Sequence, residues 1–312
     1  MTIHPDVVGI DVSKHHLDVF DAALGRGERL NNTAEAIAAL AGRWAGTDRT
    51  VVFEATGHYD RTLRRGLEAA GIAYARVNPT RARDFARAAG FLAKTDAVDA
   101  RMLAAMGAAL RPDPAAHGDR ARERLARLHK RRDQLVAMRQ QERTRRAEVD
   151  AEDDTLGAAL DAHLAWLDDA VAQLDKDIAT FVAEQPALDQ CSRLVRSIPG
   201  VGAVTAVTLL ALVPELGSRS PKALAALAGL APFNHDSGKL RGTRTIRGGR
   251  KRVRDALYMA AVSASRSNSR FKDSYKRLRN AGKPPKVAFI AIARKLLITA
   301  NAVLRDQQPF RA

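Results

Sequence analysis

The order of apolar segments in the first 112 residues is the feature that most constrains how this chain can fold. Residues 7 to 31 contain three segments typical of strands, VVGIDV, HLDVFDAAL and ERLNN, with Gly25 and Gly27 as turn residues before the third. Apolar and polar residues alternate in the second segment, as expected of a half-buried strand. These segments predict a three-stranded meander.

The segments that follow alternate between helix and strand. TAEAIAALAGRWAG predicts a helix with Thr33 as its N-cap, and the β-branched run TVVFEATG predicts a buried strand. DRTLRRGLEAAG predicts a helix that ends at Gly71, IAYARVNP predicts a strand, and TRARDFARAAG and TDAVDARMLAAMGAAL predict two more helices. This is the order of elements in an RNase H-like α/β domain, which we expect at residues 1–112.

Two long helices and an all-helical domain are expected after Pro112 and Pro114, which end this alternation. The helices occupy residues 113–188 and form a coiled-coil connector, and the helical domain occupies residues 189–312. Apolar residues in the second long helix recur at alternating spacings of four and three, the seam of a coiled coil. The seam residues are Leu160, Leu164, Leu167, Val171, Leu174, Ile178 and Phe181. The pattern leaves open whether the seam pairs within one chain or between subunits.

The positive charge of the chain is concentrated at its C-terminal end. The whole sequence has 51 Lys and Arg against 35 Asp and Glu, a net charge of +16, and residues 236–312 hold 20 basic and 4 acidic side chains. The rest of the chain is therefore neutral. A cationic segment attached to a neutral one is expected of a protein that binds a polyanion by counterion release, which predicts nucleic acid as the partner.

A membrane is a poorer candidate for the partner of this basic segment. An acidic membrane surface calls for a basic amphipathic helix with bulky apolar anchors, whereas RGTRTIRGGRKRVR contains glycines and no aromatic residue. No long uncharged apolar run predicts a membrane span, and the N-terminus MTIHPDVVGIDV lacks the pattern of a signal peptide. We therefore expect a cytoplasmic protein without a membrane partner.

Four acidic residues of the predicted α/β domain are candidates for a metal site. Asp11 ends the first strand, Glu54 ends the fourth, and Asp96 and Asp99 lie on one face in the opening turn of a helix. The four converge if the domain packs as an RNase H-like sheet. Such an oxygen-rich site suits Mg²⁺ or Mn²⁺, and two ions could promote a phosphodiester displacement. Taken singly, each acid also has a structural explanation, such as a helix dipole, a turn cap or an arginine partner.

Ser237 lies in the glycine-containing segment HDSGKLRG, just before a run of cations. The basic residues that follow it and could contact nucleic acid are Lys239, Arg241, Arg244, Arg247, Arg250, Lys251, Arg252 and Arg254. A serine among arginines can attack phosphorus, because the cations stabilise the charge that develops on the phosphoryl oxygens. Asp-Ser-Gly is also an ordinary turn sequence, and spacing alone favours the turn.

Six segments together resemble the DEDD transposases of the IS110 group. They are GIDVSKHHLDV, EATGHY, KTDAVDARMLA, SIPGVGAVTA, LAGLAP and SGKLRGTRTIRGGRKRVRDALY. The resemblance extends over nearly the whole chain, with the N-terminal and C-terminal segments in the family order around the helical connector. No matching catalytic position departs from the family pattern.

The resemblance implies a RuvC-like domain with Asp11, Glu54, Asp96 and Asp99 as catalytic acids, and a transposase domain with Ser237 as nucleophile. Family members cut and rejoin donor and target DNA through a phosphoserine link, guided by a structured bridge RNA that pairs with both DNAs. They are oligomers in which the acidic site of one subunit completes the serine site of another. We therefore expect a dimer or tetramer, associated with the bacterial nucleoid.

Two other functions stay open on the sequence. A hydrolytic RuvC-like junction nuclease would use water as its nucleophile, with Ser237 only in a turn, and would form no covalent adduct with DNA. A nucleic-acid-binding protein with a decayed acidic site would show no metal-dependent cleavage. The presence of all four acids argues against this second alternative.

Overall fold

The chain divides into two compact units, residues 1–118 and 119–312. The computed structural model describes residues 6–55, 57–91, 95–115, 119–150, 152–233 and 244–311. The first unit is a mixed α/β domain, as expected, and the second is mostly helical. The two long helices expected as a connector belong to the second unit.

A five-stranded sheet forms the centre of the first unit. Its strands are β1 (Val7–Val12), β2 (His16–Asp21), β3 (Arg26–Asn31), β4 (Thr50–Glu54) and β5 (Ala73–Val77). Their order across the sheet is β3-β2-β1-β4-β5. The meander of β1, β2 and β3 is antiparallel, while β4 runs parallel to both β1 and β5. This mixed sheet is consistent with the expected RNase H-like domain.

Helices pack on both faces of this sheet. The helices of the first unit are α1 (Ala34–Gly42), α2 (Arg61–Ala69), α3 (Pro79–Ala88) and α4 (Asp96–Leu110). The predicted N-cap is confirmed, since the Thr33 side chain accepts a hydrogen bond from the backbone N–H of Ala36. One face of the sheet packs with α1 and α2 around Ile10 and Phe53, and the other packs with α4 around Val52 and neighbouring residues.

Gly9 allows α4 to lie against the middle of the sheet. A Cβ atom at this position would overlap the carbonyl oxygen of Ala100 and the backbone nitrogen of Ala104. The close approach is possible because glycine has no side chain at this point. Residues of β1 that face the same way as Gly9 therefore lie beneath α4.

The second unit contains eight helices and one short ladder among its described residues. The helices are α5 (Arg120–Ala147), α6 (Asp154–Ala183), α7 (Pro186–Arg196), α8 (Ala203–Leu212), α9 (Pro221–Leu227), α10 (Lys251–Ser267), α11 (Ser269–Asn280) and α12 (Pro285–Asp306). The ladder pairs β6 (Pro232–Phe233) with β7 (Thr245–Ile246). The region expected to be entirely helical is thus mostly helical.

The helices α5 and α6 pair antiparallel within the chain. Three ion pairs join them in opposite order along the two helices, Arg132 with Asp175, Arg139 with Asp168, and Arg146 with Asp161. All seven predicted seam residues of α6 are buried or half-buried. At one end of the pair, Leu125 and Ile178 join the core formed by the C-terminal helices. The predicted seam therefore faces protein rather than solvent.

The helix α12 is long and apolar enough to cross a membrane by length and composition alone. Half of its most apolar stretch of 18 residues is buried inside the protein. Its residues Ile292, Leu296 and Leu297 are fully buried in the core of the second unit. These contacts are those of a core helix.

Candidate active site

The strand register places Asp11 and Glu54 on one face of the sheet. Ile10 of β1 pairs with Phe53 of β4, so the two acids are the next residues along parallel neighbouring strands. Side chains alternate between faces, and Gly9 and Val52 face α4, so Asp11 and Glu54 face α4 as well. Both acids are half-buried.

The other two predicted acids lie at the start of α4, above this edge of the sheet. The Thr95 side chain caps the helix by accepting a hydrogen bond from the backbone N–H of Val98. Asp96 and Asp99 both belong to the first turn, where the helix dipole favours negative charge. Asp96 is exposed and Asp99 is half-buried. The two strand ends and the helix start thus lie at one edge of the sheet, and a single site shared by the four acids stays a prediction.

A fifth acid, Asp18, and a cation, Arg29, share the same face. Asp11 pairs with Asp18 across the β1–β2 register, and Asp18 pairs with Arg29 across the β2–β3 register. Residues directly opposite each other in antiparallel strands point to the same side. The Arg29 guanidinium donates to both Asp18 oxygens, at 3.0 and 2.9 Å, and to Asp96 Oδ2 at 2.7 Å. Arg29 thus ties the meander to the start of α4.

The alternation of HLDVFD could have revealed Asp18, because it lies between Leu17 and Val19, whose side chains pack on the opposite face. No local signal could have revealed the contact between Arg29 and Asp96, since 67 residues separate them in the sequence. Both residues were missing from the predicted site.

The crowding of carboxylates changes the protonation of Asp11. Burial, followed by the negative charges of Asp99, Asp96, Asp18 and Glu54 in that order of strength, together raise the pKa of Asp11 to about 6. A carboxylate that is hard to ionise beside other carboxylates marks a region of strongly negative potential. Such a region favours a cation.

The side chains are not gathered around a single point in this structure. Within the described ranges, no group of three or more His, Cys, Asp or Glu side chains is arranged to hold a metal ion. The Asp96 carboxylate is instead held by Arg29. The donor set nevertheless fits a hard divalent cation, because it consists of carboxylate oxygens and because the neighbours of Asp11 oppose its ionisation.

Four of the basic residues predicted to bind nucleic acid contact other parts of the second unit. Arg250 forms a bidentate pair with Glu215 at 2.6 Å, and Arg252 forms one with Asp133 at 2.6 and 2.9 Å. Lys251 pairs with Asp255 one turn along α10, and Arg254 donates to the carbonyl oxygen of Gly248. These contacts position the start of α10.

The remaining predicted residues of the second unit are Ser237, Lys239, Arg241, Arg244 and Arg247. Arg244 and Arg247 are exposed on either side of the short strand β7. Ser237, Lys239 and Arg241 lie outside the described residues.

Comparison with known proteins decides the family of the chain. One family model, described as a transposase of the IS110 DEDD type, matches residues 8–149, and another, described as the transposase of the IS116/IS110/IS902 family, matches residues 192–276. The pilin gene-inverting proteins of Moraxella lacunata and Moraxella bovis are each 33% identical to the chain over 264 residues, covering 83% of it and 81% of their own length. The chain belongs to the IS110 family of transposases.

A shorter match is consistent with this assignment. An insertion element IS110 protein of Streptomyces coelicolor is 35% identical over 118 residues, which is 37% of the transposase and 29% of that relative. The transposase is accordingly a DNA-recombining enzyme, and the DEDD family type indicates a divalent metal cofactor. The first family match contains the four predicted acids, and the second contains Ser237 and the cations after it.

Proposed function

We propose that the transposase cuts and rejoins DNA strands with a composite site, in which a RuvC-like acidic centre works with the nucleophile Ser237. The observation that supports it best is the position of Asp11 and Glu54 at the sheet edge below the start of α4, which carries Asp96 and Asp99, with the pKa of Asp11 raised by burial and by its acidic neighbours. Such an arrangement has little structural benefit, because like charges close together oppose folding.

The four acids would hold Mg²⁺ or Mn²⁺. When bound, the ion supplies positive charge that stabilises the oxygens of a phosphodiester under attack. Asp96 would exchange its contact with Arg29 for the ion, while Arg29 keeps its two hydrogen bonds to Asp18. Arg29 thus holds β2 and β3 beneath the site in both states.

In the proposed strand exchange, the Ser237 hydroxyl loses its proton and forms a new P–O bond to DNA. The original P–O bond breaks, and the departing DNA oxygen takes up a proton to give a free hydroxyl end. A hydroxyl of the new partner strand later displaces the serine by the reverse chemistry. The phosphoserine link conserves the number of phosphodiester bonds, so no ATP is required.

The proposed partners are donor and target DNA and a structured bridge RNA that selects both by base pairing. This leaves the protein to recognise backbone and shape, which suits a basic chain in which only 5% of residues are aromatic. We further propose a dimer or tetramer in which acids and serine come from different subunits, located in the cytoplasm at the nucleoid. We also propose the domain boundaries expected from the sequence, which are residues 1–112, 113–188 and 189–312.

The test is a reaction of purified protein, flanking RNA and labelled donor and target DNA with Mg²⁺. Wild type is compared with Ser237→Ala and Asp11→Asn for covalent adduct and joined product. Ser263→Ala and Asp48→Asn serve as matched controls, because both residues are exposed and lie outside the proposed site. We expect adduct and product with wild type and controls, and neither with the two site variants.

The alternative function is a hydrolytic junction nuclease in which water replaces Ser237. It predicts metal-dependent cleavage by Ser237→Ala at the wild-type rate, with no adduct from any variant. That result would refute the serine mechanism while leaving the acidic centre in place. Loss of cleavage in Ser237→Ala but not in Asp11→Asn would refute the acidic centre instead.

A further inference from the structure

The helices α11 and α12 carry a group of cations that has no acidic partner among the described residues. Lys295 of α12 donates a hydrogen bond from Nζ to the Ser274 hydroxyl oxygen of α11 at 2.9 Å. Within the described part of the chain, the Ser274 hydroxyl hydrogen has no acceptor, so it can donate to a ligand. The contact therefore joins an ammonium group and an available hydroxyl donor at one point.

Two arginines flank this contact on the same side of α11. Arg270 lies four residues before Ser274 and Arg277 lies three residues after it, spacings that place all three side chains on one stripe of the helix. Both arginines are exposed. Three cations thus converge from two helices. On α11, one arginine lies on each side of Ser274 along the helix, and Lys295 comes from α12.

The electrostatic environment of Lys295 agrees with this geometry. Burial lowers the pKa of Lys295, and the charges of Arg277 and Arg270 lower it further. The one acidic residue of α11 is Asp273, and across the described residues no ion pair joins it to either arginine. Like charges held together in this way repel one another, and an anion placed among them would relieve the repulsion.

We propose that Arg270, Ser274, Arg277 and Lys295 form a binding site for a backbone phosphate of duplex DNA. The two guanidinium groups can each donate two parallel hydrogen bonds to phosphate oxygens, while the lysine and serine supply two further donors. The site shares no residue with the predicted acids of the first unit or with the basic residues 239–254, and it contains no reacting group.

The exposure of the site indicates a polymer rather than a free phosphate ion. Both arginines lie on the outer surface of a helix, where a single small anion competes with water and salt. A long polyanion that is held elsewhere on the same basic segment is delivered to such a surface at high local concentration. The choice of DNA rests on the proposed function, because DNA is the substrate of that reaction.

The experiment is fluorescence anisotropy of a short labelled DNA duplex, titrated with the full chain in EDTA over a salt series. The site variant is Arg270→Gln/Arg277→Gln. The control is Lys272→Gln/Lys276→Gln, which removes the same charge from two exposed residues on the opposite side of α11. We expect the site variant to bind about tenfold more weakly at about 0.1 M salt and the salt slope to fall by about 1, while the control changes by less than about twofold.

Single substitutions at Lys295 test whether a positive charge at this position contributes to DNA binding. Lys295→Gln should weaken DNA binding, and Lys295→Arg should restore most of it, because the charge returns to the same place. The midpoint of thermal unfolding should not fall below the wild-type value in any variant, since the substituted side chains are exposed and removing one of several like charges relieves repulsion.

Two outcomes would overturn the site. Equal effects of the site and control variants would show that only total charge matters. A labelled RNA hairpin is titrated in the same way, and a loss of binding confined to this RNA would assign the site to RNA. Because the measurement is made in EDTA, it is independent of cleavage. Wild type that binds the duplex but forms no adduct would refute the proposed chemistry and leave this site intact.

Discussion

Replacing Asp11 by asparagine should stabilise the first unit at neutral pH while abolishing strand transfer. In the folded protein the pKa of Asp11 is raised from its ordinary 3.8 to about 6 by burial and by four acidic neighbours. Such a pKa shift corresponds to about 3 kcal/mol in the free energy of unfolding, since a shift of one pKa unit is about 1.4 kcal/mol. Asp11 is only half-buried, and solvent screening reduces the expected gain in free energy of unfolding to about 1–2 kcal/mol.

The sign of the pH dependence follows from the direction of this shift. The folded chain keeps the Asp11 proton up to about pH 6, whereas the unfolded chain releases it near the ordinary value of 3.8. Stability in wild type therefore falls as pH rises through this interval, and the loss persists at pH 7. An amide has no proton to lose, so Asp11→Asn should lack this part of the pH dependence.

The assay is urea unfolding in EDTA at about pH 4 and about pH 7, followed by tryptophan fluorescence. Trp44 is buried in the first unit, and Trp166 is an exposed residue of α6. With Trp166→Phe in every variant, the signal reports the first unit alone. Asp48→Asn is the control, because its carboxylate is exposed. If Asp11→Asn were no more stable than wild type at pH 7, the repulsion inferred among the acids would be wrong.

Three further predictions concern residues that hold helices and strands in place within one unit. Gly9→Ala should destabilise the first unit by about 2 kcal/mol or more in urea unfolding, because the new Cβ overlaps the Ala100 carbonyl oxygen; an unchanged midpoint would contradict the close approach of α4. Arg29→Gln should lower the urea midpoint of the first unit in EDTA by leaving buried Asp18 without its partner, and Mg²⁺ should restore more stability than it adds to wild type; equal gains would count against Arg29 as a substitute cation. Leu125→Ala should cost about 3 kcal/mol in calorimetric unfolding of the second unit, where its side chain is fully buried; a cost typical of surface residues would show that α5 lies outside that core.

Local patterns account for the parts of the fold that were predicted well. The alternation of β2, the N-cap at Thr33 and the spacing of Asp96 and Asp99 each depend on a few neighbouring residues, and each appears in the structure as expected. The seam of α6 was predicted for the same reason, since a heptad repeat expresses which side of one helix is apolar.

The sequence did not predict which helix packs against that seam. Any apolar stripe could cover it, and only the three ion pairs between α5 and α6 show that the helices pair antiparallel in one chain. The basic segment after residue 243 is similar. Its composition suggested free cations for nucleic acid, whereas Arg250 and Arg252 pair with Glu215 and Asp133 from distant parts of the sequence.

The sequence by itself determined the order of strands and helices, the acids at two strand ends and one helix start, and the family to which they belong. Only the tertiary structure decided that Asp18 lies opposite Asp11 and that Arg29 reaches Asp96. It also placed Lys295 beside Ser274 to complete a group of cations. The physical reason is that secondary structure follows from periodicity within one segment, while charges meet according to strand register and helix packing, which join residues far apart in the chain.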